Sequence, residues 1–134
     1  MQILNIIWVF NPDCTKVLMC KRHKEPYLGL LNLVGGKAEI GEDSLAAAYR
    51  ELAEETGIKD ISLIHLMDFT YFGKYSCRVE VYAGRLLNHT EVCGDEKELL
   101  WVDVRENFFD MNRFAGEGNI GHIYEIVKIN RDVL

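Results

Sequence analysis

The strongest constraint on this chain is one helical segment set between stretches that read as strand. It starts at an N-cap, Asp43 or Ser44, and runs through Leu-Ala-Ala-Ala-Tyr-Arg-Glu-Leu-Ala-Glu-Glu-Thr. Gly57 follows, where a left-handed residue ends a helix at little steric cost. At about 100° per residue, Leu45, Tyr49, Leu52 and Ala53 share one side, and Glu51, Glu54 and Glu55 crowd the other. Upstream, the β-branched and aromatic residues of 3–10 predict a strand, and Asn11-Pro12-Asp13 turns it into a second strand over 16–21, a hairpin. A short strand over 31–34 then leads into a loop over 35–41. Downstream, residues 61–72 and 78–87 read as two strands around a Gly73-Lys74 turn, and 99–104 as another. Ile120, Ile123, Tyr124 and Val127 mark a closing helix with one apolar face. This order predicts a mixed α/β or α+β sandwich, with helices covering a mixed sheet.

The 134 residues fit a single domain over 1–134, and 49% hydrophobic against 27% charged residues excludes a disordered chain. A net charge of −6 repels polyanions, so no nucleic acid polymer is expected as a partner. Cys14, Cys20, Cys77 and Cys93 have no C-x-x-C spacing, which predicts free, mostly packed thiols rather than a zinc site. The apolar start lacks a basic leader and is too short to span a bilayer, so neither a signal peptide nor a membrane partner is expected and the cytoplasm is the expected compartment.

Carboxylates three and four positions apart on one helix repel each other by a few tenths of a kcal/mol per pair, and by more when partly buried. Two explanations fit. The face is simply solvated, with Arg50 pairing to Glu54 one turn on, or it holds a hard divalent cation. Mg²⁺ suits the second, because it takes oxygen ligands and is commonly shared between carboxylates and substrate phosphates. Gly35 and Gly36, just before the helix, allow backbone to approach such a ligand closely.

Gly36, five residues, Glu42, seven residues, then Arg50-Glu51-Leu52-Ala53-Glu54-Glu55-Thr56-Gly57-Ile58 reproduces every position of the Nudix box. The chain therefore resembles a Nudix (MutT-like) hydrolase, nearest to the group acting on oxidised purine nucleoside triphosphates. The resemblance implies an α/β/α sandwich with a mixed sheet, in which the box forms a loop, helix and loop holding Mg²⁺ or Mn²⁺. It implies hydrolysis of a nucleoside diphosphate linked to another moiety. Carried over by position, Glu51 and Glu55 are metal ligands, Glu54 is a third ligand or the group activating water, and the Gly36 carbonyl completes the set. Arg50 orients the glutamates, while Glu42 and Gly57 shape the loops. Such chemistry needs charge neutralisation and a positioned water more than a protein nucleophile. A further carboxylate from outside the box would come from Asp95, Glu96 or Glu98, among which the residues do not choose.

Leu31-Asn32-Leu33-Val34-Gly35-Gly36-Lys37 is similar to the segment in which the oxidised-purine enzymes read the base with an Asn. Asn32 is thus a base-reading candidate, Arg22 and Lys37 candidates for substrate contact, and Asn119 a second amide for the purine edge. Each has a plainer reading, as a strand-edge amide, a surface charge or a helix cap. Phe108-Phe109-Asp110-Met111 resembles the late loop of the same group, with Phe109 or Phe114 available for stacking because Asn112 stands where an aromatic is expected. Gly116-Glu117-Gly118-Asn119-Ile120-Gly121 spells G-x-G-x-x-G, but no βαβ unit surrounds it, so the glycines are expected to shape a loop over the pocket. The leading expectation is a pyrophosphohydrolase taking a purine nucleoside triphosphate such as 8-oxo-dGTP to monophosphate and pyrophosphate. ADP-ribose or another nucleoside diphosphate sugar is the alternative substrate, and a non-catalytic nucleotide sensor the alternative of another class. The partner is a nucleotide in each case, and a homodimer is left open.

Overall fold

The computed structural model describes residues 1–74, 76–93 and 98–134. Its elements run β1 (Gln2–Phe10), β2 (Lys16–Lys21), β3 (Leu31–Lys37), α1 (Ser44–Thr56), β4 (Ile64–Tyr71), β5 (Cys77–Arg85), β6 (Glu98–Asp103) and α2 (Asn119–Ile129), with a closing turn of 3-10 helix at Arg131–Val133. The strands form one six-stranded mixed sheet in the order β4-β5-β1-β3-β2-β6. β1 is antiparallel to β3 and parallel to β5. A strand with neighbours on both edges and layers on both faces is favoured to be apolar where it is covered, and Ile7, Trp8, Val9 and Phe10 are all buried.

The expected β1–β2 hairpin exists only at its tip. Asn11 Oδ1 accepts from the Thr15 and Lys16 N–H groups at 2.9 and 2.8 Å, and Phe10 faces Val17. Beyond that the strands part and β3 runs between them, because two strands that are both buried each require a partner on either edge. β3 is also longer than its sequence suggests. Gly35, Gly36 and Lys37, expected in a loop, pair with Ile6, Asn5 and Leu4. Glycine in a strand marks close approach of other chain, and a Cβ on Gly35, whose φ is 149°, would fall on the Asn5 carbonyl oxygen.

Alternation along β1 divides the core. Trp8 and Phe10 join Met19, Leu33, Val81, Phe108, Phe114, Ile120, Ile123 and Val127 on the side of α2. Ile7 and Val9 join Leu18, Val34, Ala48, Leu52, Leu63 and Tyr82 on the side of α1. The α/β/α sandwich expected for this chain is therefore the one observed. Trp8 stacks on Tyr124 with ring centroids 4.8 Å apart, which ties α2 to the sheet.

Asp43 is the N-cap of α1 and accepts from the Ala46 N–H at 3.0 Å; Gly57 closes the helix in the left-handed conformation with its N–H on the Ala53 carbonyl. The buried face differs from expectation. Ala47, Ala48, Leu52 and Thr56 are buried, while Leu45 is exposed. Small residues let α1 approach the glycine end of β3, whereas Tyr49 reaches sideways to accept the Leu63 N–H with its hydroxyl at 2.9 Å. β4 begins at Ile64 rather than 61, and its ladder with β5 slips by one residue between His65 and Met67, a bulge. None of the four cysteines forms a disulfide among the described residues, but only Cys20 is buried; Cys14 and Cys77 are half-buried and Cys93 is exposed, since these three lie in loops or at a strand end. Among the described residues no helix is long and apolar enough to cross a membrane.

The two glycines make a comparative test. Nothing lies within 4 Å of a Cβ added to Gly57, so Gly57→Ala should cost only the left-handed backbone conformation, about 1–2 kcal/mol in urea unfolding. Gly35→Ala meets backbone as well and should destabilise by clearly more than Gly57→Ala; equal losses would show that β3 and β1 are not packed as described.

Candidate active site

The end of β3 and the length of α1 bring the box residues together. Gly36 N–H donates to the Asn5 side-chain oxygen at 3.0 Å, and Gly35 N–H donates to Glu55 Oε2 at 2.9 Å. The Glu51 carboxylate lies against Gly36, where any Cβ would overlap it. Glycine at 36 leaves the room that the Glu51 carboxylate takes, while glycine at 35 lets β3 lie close against the Asn5 backbone.

Arg50 organises the rest. Its Nε and Nη2 donate to the two oxygens of Glu42 at 2.7 and 2.9 Å, and Nη2 also donates to the Lys37 carbonyl at 3.0 Å. Nη1 donates to Glu51 Oε1 and Glu54 Oε2, both at 3.1 Å. The planar guanidinium thus closes the loop between β3 and α1 with one edge and holds two carboxylates with the other. Its hydrogen bonds, with one from the Glu39 N–H, hold the Glu42 carboxyl down at about 2. Burial raises Glu51 above the ordinary carboxylate value, Arg50 opposes that rise, and the charges of Glu54 and Glu55 add to it. Glu54 is the most solvent-facing of the three whose exposure decides a role, with 59% of its side chain exposed against 16% for Glu51. Three carboxylates beside the glycine end of a strand give a donor set made of oxygen, the kind a hard dication takes.

On the other face of β1 lies a cavity of about 590 Å³, floored by Leu4 and Ile6. Asn32 and Asn119 both line it, with Tyr27, Tyr71, Phe69 and Phe72. The Asn32 Oδ1 accepts the Leu33 N–H at 2.9 Å, leaving its amide nitrogen for other partners. Asn119 does not cap α2; the N-cap is Gly118, and the Asn119 amide donates to the Tyr71 hydroxyl instead. Tyr27 donates to both oxygens of Glu117 at 2.9 and 2.7 Å, which links the loop before β3 to the glycine loop before α2. That glycine loop borders the cavity through Gly116.

Other expected contacts are placed differently. Arg22 does not line the cavity; its Nε donates to the Pro26 carbonyl at 2.7 Å and so shapes the loop that does. Lys37 is exposed and pairs directly with Leu4, which puts it at the rim between the cavity and the box. Phe114 is core, 1% exposed, and Phe109 packs on Gly121 and edge-on to His122, so neither candidate for stacking lines the cavity. The aromatic wall comes from β4 and the turn after it, where the bulge blurs the alternation that would have disclosed an inward face. Asn5, Tyr27, Tyr71 and Glu117 were not legible as site residues. Asn5 alone left a signal, a lone amide in an apolar strand. Asp95 and Glu96 lie outside the described residues, and Glu98 sits in β6 with His23 Nε2 at 3.7 Å.

Known proteins share this fold. A sequence profile described as the NUDIX domain matches residues 3–123. No curated protein sequence matches the chain. Among solved structures, an Ap4A hydrolase binary complex from C. elegans superposes with a TM-score of 0.79 at 17% identity, covering 100% of both chains. The MutT protein from Methanosarcina mazei Go1 superposes at 0.76 with 18% identity, covering 96% of this chain and 94% of its own. The NUDIX domain of Shewanella oneidensis NrtR, complexed with ADP ribose, superposes at 0.74 with 17% identity, covering 96% and 86%. At such identities the superpositions establish the fold, and the profile match across most of the sequence establishes the rest: this chain belongs to the NUDIX domain family.

Proposed function

We propose that residues 1–134 form one Nudix domain that hydrolyses a purine nucleoside triphosphate, oxidised forms such as 8-oxo-dGTP included, to the monophosphate and pyrophosphate. As a member of its family the chain is a hydrolase of nucleoside diphosphate-linked substrates; the purine triphosphate is the narrower step. The observation that carries it is the cavity lined by two amides, Asn32 and Asn119, on the face of β1 opposite the carboxylates of the box. Amides pair with the donor and acceptor edges of a purine, and Phe69, Tyr71 and Phe72 offer the apolar wall a base requires. Three free thiols with some exposure accord with a reducing compartment, and the cytoplasm is the one we propose.

The residues fit a hard dication. Glu51 is partly buried beside two like charges, and its only cationic partner described is Arg50, which it shares with Glu42 and Glu54. Mg²⁺ or Mn²⁺ would be held by Glu51, Glu54, Glu55 and the Gly36 carbonyl, and when bound supplies charge neutralisation on the phosphates. The chain's own groups do the remainder. Lys37 at the rim meets the phosphates, Arg50 keeps the carboxylates in place, and Glu54, facing solvent, takes a proton from the attacking water. The oxygen of that water bonds to phosphorus as the bond to the departing pyrophosphate breaks.

Incubation with a nucleotide panel and identification of products tests the substrate. Purine triphosphates should yield monophosphate and pyrophosphate, chelator should abolish turnover, and Mg²⁺ or Mn²⁺ should restore it. Preferential cleavage of ADP-ribose or of a dinucleoside polyphosphate would replace the proposal, and binding of nucleotides without turnover would make the chain a sensor.

Glu54→Gln and Glu55→Gln should each leave the fold intact, by circular dichroism, and lower kcat by about a hundredfold or more, as expected for loss of a ligand or base. Near-normal rates in both would reduce the acidic face to solvated surface. Asn32→Ala and Asn119→Ala should instead alter kcat/KM between purines with the metal dependence unchanged, since an unpaired buried group in the complex costs about 1–3 kcal/mol. An unaltered substrate ranking in both variants would remove the amides from base recognition.

A further inference from the structure

A second group of side chains with metal-ligating chemistry lies outside the box, on the hairpin of β4 and β5. In a regular strand His65 and Asp68, three apart, would face opposite sides of the sheet. The bulge between His65 and Met67 cancels that: His65 stands opposite Tyr82 and Asp68 opposite Glu80, two β5 residues of the same face. His65 Nε2 is 2.6 Å from Asp68 Oδ1, and one ligand atom from each of His65, Asp68 and Glu80 lies within 4.8 Å of the others.

The electrostatics of the group favour a cation. Like charges directly opposite on neighbouring strands destabilise a sheet, and Glu80 is only 4% exposed. Arg78 Nη2 holds Glu80 Oε2 at 3.2 Å, while among the described residues Oε1 has only the Tyr82 hydroxyl at 3.5 Å, the outer limit of a hydrogen bond. The His65 ring stacks on Tyr82 with centroids 4.7 Å apart, which fixes its orientation.

Asn5 supplies a separate observation. It is 2% exposed, neighbours Glu80 in the parallel β1–β5 register, and has its Oδ1 on the Gly36 N–H of β3. β3 and β5 flank β1 on opposite sides, so the other arm of the planar amide is left toward β5. That Nδ2 is buried and has no hydrogen-bond partner among the described residues. Buried orphan donors are rare, and this one marks a place beside Glu80 where a further oxygen belongs.

We propose that His65, Asp68 and Glu80 form a binding site for a zinc-type transition-metal dication, distinct from the box. One imidazole nitrogen and two carboxylates suit zinc better than Mg²⁺, which prefers oxygen alone. Bonds of about 2.0–2.2 Å place tetrahedral ligand atoms roughly 3.3–3.5 Å apart. The solvent-accessible Asp68 would turn to open its 2.6 Å contact with His65 toward that spacing, with Arg78 and Tyr82 supporting the ligands from behind. The ion clamps the hairpin whose other face, through Phe69 and Val79, walls the cavity.

The test titrates Zn²⁺ into the full chain by calorimetry, in wild type, His65→Ala, Asp68→Asn and the double variant Glu51→Gln/Glu55→Gln. The site predicts one Zn²⁺ retained in the box double variant, bound at least tenfold more weakly in His65→Ala and Asp68→Asn, with Zn²⁺ raising the Tm of wild type but not of His65→Ala. If the double variant does not fold, wild type in excess Mg²⁺ replaces it and must still take one Zn²⁺. Binding lost with the box residues and unchanged in His65→Ala would place all ions at the box and overturn the proposal. So would an imidazole of His65 that keeps both protons at neutral pH in the presence of Zn²⁺, which would make the group an ion pair. Neither result bears on nucleotide turnover, so this site and the proposed hydrolysis stand or fall separately.

Discussion

The guanidinium of Arg50 is the interaction on which the box depends. It joins groups from the end of β3, the following loop and two successive turns of α1: the Lys37 carbonyl, Glu42, Glu51 and Glu54. Lysine could supply the charge but not the fork, since one ammonium cannot place parallel donors on Glu42 while reaching two more carboxylates in the same plane. The arrangement also answers the repulsion inherent in the helix. Glu51 and Glu54 are one turn apart on the same face, and Nη1 sits between them. Arg50 does not offset the whole cost, because the Glu51 carboxyl is still raised by burial despite its ion pair. A cluster so arranged tolerates its own charge only in part, which is the electrostatic condition for attracting a dication.

The glycines before the helix matter as much as the charges. Gly35 gives β3 its closeness to the Asn5 backbone, and Gly36 leaves the space that the Glu51 carboxylate fills. Ala47 and Ala48 do the corresponding work on α1 by keeping its inner face low. The helix carboxylates can therefore touch a strand terminus without the helix being displaced from the sheet, and the two cores on either side remain closed.

Much of this was legible before any coordinates. The helix, its caps at Asp43 and Gly57, the hairpin tip at Asn11 and the box spacing are local features, governed by residues near one another in sequence. The misreadings share a different origin. Glycine at 35 and 36 signals a loop locally, but pairing with β1 draws both into a strand. Leu45 belongs to an apolar stripe by periodicity, yet the helix rolls toward its alanines because the sheet comes close there. Phe109 and Phe114 were reasonable stacking residues, but Phe114 is taken by the core and the cavity wall is built from β4, whose bulge hides its pattern. Contacts between distant segments decide each of these, and no short window contains them.

Alternation along β1 also explains why the box alone does not specify a substrate. Leu4 and Ile6 floor the cavity, whereas Asn5 between them supports Gly36 on the opposite face. A nucleotide that uses both must place its base on one face and carry its phosphates over the end of the strand pair to the other. Lys37, paired with Leu4 at that end, is the cation nearest the crossing among the residues singled out by sequence. Since the cavity-facing and box-facing residues occupy alternate positions of one strand, either set can change without disturbing the other. Under the proposed function, the carboxylates would constrain the kind of bond that is cut, while Asn32, Asn119 and the aromatic wall of the cavity would constrain what is attached to it.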